Sequence, residues 1–170
     1  IAKAHGARTV ALQEPNQARA AIARGLDLDL VVNPREPDAA AKILDLTDGH
    51  GPEVVLEVSG NAAAINAALD IVAPGAIVAL LGIPAGPVAL DLGAKVVMKG
   101  VSLLGITGRR MYETWYQVEA FMLKNPDLID KVITHVLPAT DFAHGFELMD
   151  EGACGKIVLD FQALDQRLPI

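Results

Sequence analysis

Aromatic side chains are scarce: Phe, Trp and Tyr together make up 4% of the 170 residues. Packing must therefore rest on Ala, Val, Leu and Ile. Within a composition that is 52% apolar, this suits a parallel sheet covered by helices better than an antiparallel sandwich. Cysteine occurs once, at Cys154, which excludes an internal disulfide and fits a reducing, cytoplasmic setting. No apolar run is long enough to span a bilayer; the longest, IVALLGI at 77–83, stops at Pro84. Basic residues number 14, form no run and sit in a chain of net charge −7, so neither a nucleic acid nor a membrane is expected as partner. His5, His50, His135, His144 and Cys154 lack metal-ligand spacing, and Cys154 has no histidine beside it to make a nucleophile.

A glycine-rich phosphate loop is missing as well. The stretch TVALQEPNQAR (9–19) reads as a strand that ends on an acid, Glu14, and turns into a helix. Such a strand ordinarily follows a glycine-rich turn, yet only IAKAHGAR precedes it, with one glycine. IAKAHGA reads as the last turns of a helix capped by Gly6. Right-handed crossover requires a strand before that helix. In the strand order 3-2-1-4-5-6 it would be the central strand 1, carrying the phosphate-binding turn. The chain also starts with Ile rather than Met, so the expectation is a fragment from which this strand and its loop have been cut off. Taken alone, residues 1–170 should then bind NAD poorly.

What remains alternates strand and helix, the pattern of βαβ units. Strands are predicted at 9–14, 30–33, 53–60, 76–83 and 101–108, and helices at 15–25, 36–49 and 61–72. Pro15 sits where a first helical residue belongs and Gly25 just past the end, with Ala18, Ala21 and Ile22 on one face. After Gly108 the pattern changes. A longer helix over 109–125 carries Met111, Trp115, Val118 and Met122 near one stripe and reads as a packed face. Strands at 131–138 and 155–161 flank a helix at 140–152, with Thr140 as N-cap and Phe142, Phe146 and Met149 as its buried side. The tail from 162 carries no clear signal.

The runs GITGRRMYETWYQ (105–117), VLEVSGNAAAINAAL (55–69), ALLGIP (79–84) and GKIVLDF (155–161) resemble zinc-dependent L-threonine 3-dehydrogenases of the medium-chain dehydrogenase/reductase superfamily. The resemblance runs from residue 1 to about 161 but covers only the second half of that family. It implies an α/β fold: a Rossmann-like doubly wound parallel sheet without its first strand and glycine-rich loop, then a C-terminal segment of the catalytic domain. The NAD-binding domain would occupy 1–122 and the returning segment 123–170. The implied reaction oxidises L-threonine to 2-amino-3-oxobutanoate with hydride transfer to NAD. Zinc, whose ligands the resemblance puts in the absent half, would polarise the alcohol, and the full-length enzyme would be a homotetramer. No catalytic or metal-binding residue is expected here, and the fragment alone should be inactive.

Glu14 and Arg19 are the first candidates for holding NAD. A carboxylate at this strand end accepts from both ribose hydroxyls and repels a 2′-phosphate, which favours NAD over NADP. Arg19, one helical turn on, can point back to the adenosine edge. The alternative is a solvated acid at a helix start beside a surface arginine. Leu81, Gly82 and Ile83 end one strand, and Ile106 and Thr107 end another. Ligands of open α/β sheets lie outside such strand ends, and glycine admits close backbone approach. The resemblance implies NAD contacts at all seven positions; on the residues alone, ordinary strand-ending turns are the better reading of 81–83 and 106–107. Ser59-Gly60 is a weaker candidate for the same crevice, and Arg109 a candidate for a phosphate. The rival functions are another zinc-dependent polyol or alcohol dehydrogenase, acting on sorbitol or butanediol, and a non-catalytic nucleotide-binding module.

Overall fold

A computed structural model describes residues 1–162 and divides the chain into two compact units. The tail assigned no signal above lies almost wholly outside the described residues. One unit comprises Ile1–Asn33 and the chain from Arg110 onward; the other is Pro34–Arg109.

The second unit holds strands β3 (Val54–Glu57), β4 (Ile77–Leu80) and β5 (Ser102–Gly105) in one parallel sheet, in that order. Val54, Val55, Leu56 and Glu57 of β3 lie opposite Ile77, Val78, Ala79 and Leu80 of β4, which in turn face Ser102 to Gly105 of β5. Helices α2 (Ala39–Asp45) and α3 (Ala62–Ile71) precede and follow β3. α3 starts at Asn61, whose side chain accepts from the N–H groups of Ala63 and Ala64 and so satisfies two donors left open by the first turn. Lys99 closes its other end by donating to the carbonyls of Leu69 and Asp70, both at 2.8 Å. Between them α3 lays Ile65 and Leu69 on Val78, with Val72, Ala76 and Val101 completing a buried cluster. A short π-helical turn, Gly93–Val97, packs on the same helix and lies in a stretch that the sequence left as loop.

The other unit contains two parallel pairs. β1 (Ala11–Gln13) runs beside β2 (Leu30–Val32), joined by α1 (Gln17–Arg24). β6 (Ile133–Pro138) runs beside β7 (Lys156–Asp160), joined by α6 (Phe142–Asp150). The helical start is a single 3₁₀ turn, Lys3–His5, ended by Gly6 at φ +93° as expected. Helix α4 (Glu113–Lys124) is followed directly by α5 (Pro126–Val132), which the sequence reading missed. Asn125 separates them, donating from Nδ2 to the Phe121 carbonyl, and Pro126 opens the new helix at a position that needs no N–H.

Some expectations need correcting. α1 begins after Asn16, not at Pro15, because the Asn16 side chain accepts from the Arg19 N–H at 3.0 Å and caps the helix. Its buried residues are Ala20 and Ala23 rather than Ala18 and Ala21. Thr140 does not cap α6; its hydroxyl donates to Asp141, and a 3₁₀ turn Ala139–Asp141 leads in. Phe142, Phe146 and Met149 are exposed at 53%, 61% and 54%, and the buried residue of α6 is Gly145. The Met111, Trp115, Val118 and Met122 stripe is likewise exposed, not packed. Both stripes are apolar as read, but they remain largely exposed.

β1 is an edge of the pair in the first unit, and β3 is an edge of the three-stranded sheet in the second. Among the described residues no helix is long and apolar enough to cross a membrane.

Candidate functional site

The turns that leave β3, β4 and β5 emerge at one end of their sheet, because the three strands are parallel and in register to their last residues. Glu57, Leu80 and Gly105 are those last residues, so Ser59-Gly60, Leu81-Gly82-Ile83 and Ile106-Thr107 form neighbouring turns. Backbone bonds tie them together. The Leu81 and Gly82 N–H groups donate to the Glu57 carbonyl at 2.8 and 3.0 Å, and the Ile106 N–H to the Leu80 carbonyl at 2.9 Å.

The contact between the first two turns is tight enough to require glycine on both sides. A Cβ on Gly82 would lie 2.0 Å from the Gly60 nitrogen, and one on Gly60 would lie 2.6 Å from the Ile83 oxygen. Gly60 also holds φ +66°, which a side chain rarely adopts. Ile83 projects from this seam with 92% of its surface exposed, while Leu81 and Ile106 are exposed at 44% and 46%. Thr107 is exposed beside them. The chemistry offered is an apolar ledge next to backbone hydrogen-bonding groups, the mixture that orients small ligands. Five of the seven candidates are thus gathered in one unit.

Beneath that ledge is a residue the sequence reading passed over. Glu57 is the only charged side chain in the buried class among the described residues, at 5% exposure. One carboxylate oxygen accepts from the Ser59 N–H at 3.0 Å and from the Ser59 hydroxyl; the other accepts from the Gly60 N–H at 2.9 Å. A signal was present: an acid interrupts the apolar run VVLEV just before a Ser-Gly turn.

The remaining two candidates lie in the other unit. Glu14 follows β1, its N–H donating to the Val32 carbonyl of β2 at 3.0 Å. Its carboxylate is half-buried and accepts from the Asn16 N–H at 2.8 Å, which leaves acceptor capacity unused. Glu14 thus stands at the carboxyl end of its own parallel pair, next to the start of α1. Arg19 is exposed, and its Nη2, with Asn16 Nδ2, borders Gly152 in the turn after α6.

No group of three or more His, Cys, Asp or Glu side chains among the described residues is placed to hold a metal ion. His5 stacks on Phe121 at 6.1 Å, His144 pairs with Glu147 at 3.3 Å, and Cys154 is buried against the Leu148 carbonyl.

Comparison with known proteins brings these features together. Residues 1–124 match the family of zinc-binding dehydrogenases. The chain is 39% identical over 160 residues to L-threonine 3-dehydrogenase of Caldanaerobacter subterraneus, covering 94% of this chain and 46% of that protein. It therefore spans about half the length of the curated relatives it matches. An alcohol dehydrogenase structure from Thermotoga maritima superposes with a TM-score of 0.85 at 26% identity, over 93% of this chain and 44% of its own. An NAD-dependent alcohol dehydrogenase, also 26% identical, gives 0.69 over 89% and 43%.

Proposed function

From the premise that this chain belongs to the zinc-binding dehydrogenase family, we propose that it is the NAD-binding portion, with a returning segment, of an L-threonine 3-dehydrogenase. Residues 1–122 form the nucleotide part and 123–170 the segment that rejoins a catalytic domain. One observation carries the reading: the Ser59-Gly60, Leu81-Gly82-Ile83 and Ile106-Thr107 turns are gathered at one sheet end in a chain 39% identical to a threonine dehydrogenase.

In this reading Glu14 and Arg19 take the adenosine end of NAD. The Glu14 carboxylate accepts from the ribose hydroxyls and disfavours a 2′-phosphate. Leu81, Gly82, Ile83, Ile106 and Thr107 take the nicotinamide end. There the Ile side chains exclude water from one ring face, and backbone groups hold the carboxamide. NAD, when bound, supplies the hydride acceptor. The chain's share is orientation of the cofactor, with acid–base work and zinc ligands assigned to the catalytic domain. Substrate, oligomeric state and activity are those of the whole protein, with L-threonine as substrate and a homotetramer as assembly.

Turnover decides the substrate. The protein as its source makes it, given NAD with L-threonine, sorbitol or 2,3-butanediol in turn, is expected to oxidise threonine at least tenfold better than the other two, a difference of about 1.4 kcal/mol in transition-state binding. Silence on threonine with turnover of a polyol would replace this reading with that of another zinc-dependent alcohol dehydrogenase. NADH binding without turnover of any alcohol would leave a nucleotide-binding module.

A further inference from the structure

We infer that Glu57 is a positioning residue for the nicotinamide end of the cofactor, acting through the two glycine turns; this rests on the proposed NAD site. Glu57 is a carboxylate at 5% exposure. Burying an ionised acid is costly unless its oxygens are satisfied. Here three donors satisfy it, from the Ser59 N–H, the Ser59 hydroxyl and the Gly60 N–H, and all belong to the turn that follows β3. The same residue's carbonyl accepts from the Leu81 and Gly82 N–H groups of the turn after β4. Glu57 thus grips one turn with its side chain and the other with its backbone, at the seam where Gly82 abuts the Gly60 nitrogen.

The functional consequence follows from the direction of these bonds. Gly60 holds φ +66°, and its N–H points inward to the carboxylate instead of outward to solvent. Without that acceptor the Ser59-Gly60 turn loses all three of its inward bonds and keeps only the Asn61 N–H to Ser59 Oγ bond and the contact with Gly82, so Ile83, whose carbonyl lies against Gly60, is free to shift with it. The apolar ledge would then be present but misplaced. Glutamine is the informative substitution: it retains the shape but has one carbonyl oxygen and an NH₂ where the second oxygen stood, so it opposes one of the inward-pointing donors. Aspartate keeps both oxygens but falls a methylene short.

The test compares two ligands on the protein as its source makes it. NADH contains the nicotinamide; ADP-ribose has the adenosine and both phosphates without it. Glu57→Gln is expected to weaken NADH binding about tenfold, the equivalent of one hydrogen bond to a charged group. ADP-ribose affinity should stay within about twofold. Glu57→Asp should recover part of the loss, and Ser59→Ala, which removes one donor to Glu57 and the acceptor of the exposed Asn61 N–H, should cost less than Glu57→Gln. In turnover the NAD KM should rise more than kcat falls. Equal losses for both ligands would mark Glu57 as a general stabilising residue and overturn the inference. So would unchanged NADH affinity in a folded Glu57→Gln variant. Parent protein that binds ADP-ribose but not NADH would instead remove the proposed nicotinamide site itself.

Discussion

In the second unit, α3 sets Ile65 and Leu69 on a three-stranded sheet, and Leu69 and Val78 lose all contact with solvent. In the first, α4 has no buried residue, and α6 buries only a glycine. All three are regular helices with a hydrophobic stripe. The difference is in what the described chain supplies opposite the stripe. α3 has a sheet whose strands pair with one another. α4 presents Trp115, Val118 and Met122 with no layer over them, and they line an open groove of about 490 Å³ with Tyr116, Glu119 and Leu123. An amphipathic pattern therefore establishes that a helix has an apolar side, not that the side is covered.

The largest effect expected from this contrast is on stability. Leu69→Ala should destabilise the protein by about 3 kcal/mol, since a fully buried leucine leaves a cavity behind. Phe146→Ala, a larger deletion on exposed α6, should cost under about 1 kcal/mol. Urea unfolding of both variants checks this; equal losses would mean that the α6 face is buried after all.

Next comes the seam between the turns. Gly82→Ala forces a Cβ to within 2.0 Å of backbone, whereas a Cβ on Gly86 meets nothing within 4 Å. The first is expected to cost about 2 kcal/mol and to weaken NADH binding, the second to leave both unchanged. Calorimetry and denaturant unfolding on the pair would show whether the close approach is as tight as described.

A smaller effect tests the first unit. Glu14→Gln should reduce NAD affinity about tenfold, close to 1.4 kcal/mol, and narrow the preference for NAD over NADP. Unchanged discrimination would return Glu14 to the role of a solvated acid at a helix start.

The smallest effect is on pH dependence. Asp29 lies 2.6 Å from the Lys3 ammonium and accepts from the Val10 N–H at 2.7 Å. Lys3 above all, and Val10 after it, hold its carboxyl below the ordinary value of 3.8. The stabilisation is therefore present above pH 3.8 and is lost as pH falls through the lowered value. Asp29→Asn should be slightly less stable than the parent at neutral pH, and the gap should close in acid. Thermal unfolding across pH 2 to 7, roughly the range in which carboxylates titrate, checks the sign.

Much of this architecture was legible in the residues. Five short apolar runs separated by helical patterns gave β1 to β5 in place. Helix starts were less so. Asn16 and Asn61 cap their helices through side-chain geometry, while Pro15 offers an equally good signal one residue away. Helix α5 escaped because Asn125 and Pro126 read as a break, although the same pair ends one helix and opens the next. At the candidate site, the turns could be named from the strand ends. Glu57 was marked only by its place within the apolar run VVLEV; its burial did not follow from that, because a glutamate in a strand is ordinarily a surface residue and only its three inward donors make it tolerable. Tyr112 was likewise invisible: its φ of +64° starts α4 through a tight turn in which the Glu113 N–H donates to the Met111 carbonyl.

The most direct measurement is a crystal structure of the protein as its source makes it with NADH bound. The expected result is nicotinamide in van der Waals contact with Gly82, Ile83 and Thr107, and adenosine ribose hydroxyls donating to the Glu14 carboxylate. Cofactor bound with its nicotinamide away from the ends of β3, β4 and β5 would contradict the account.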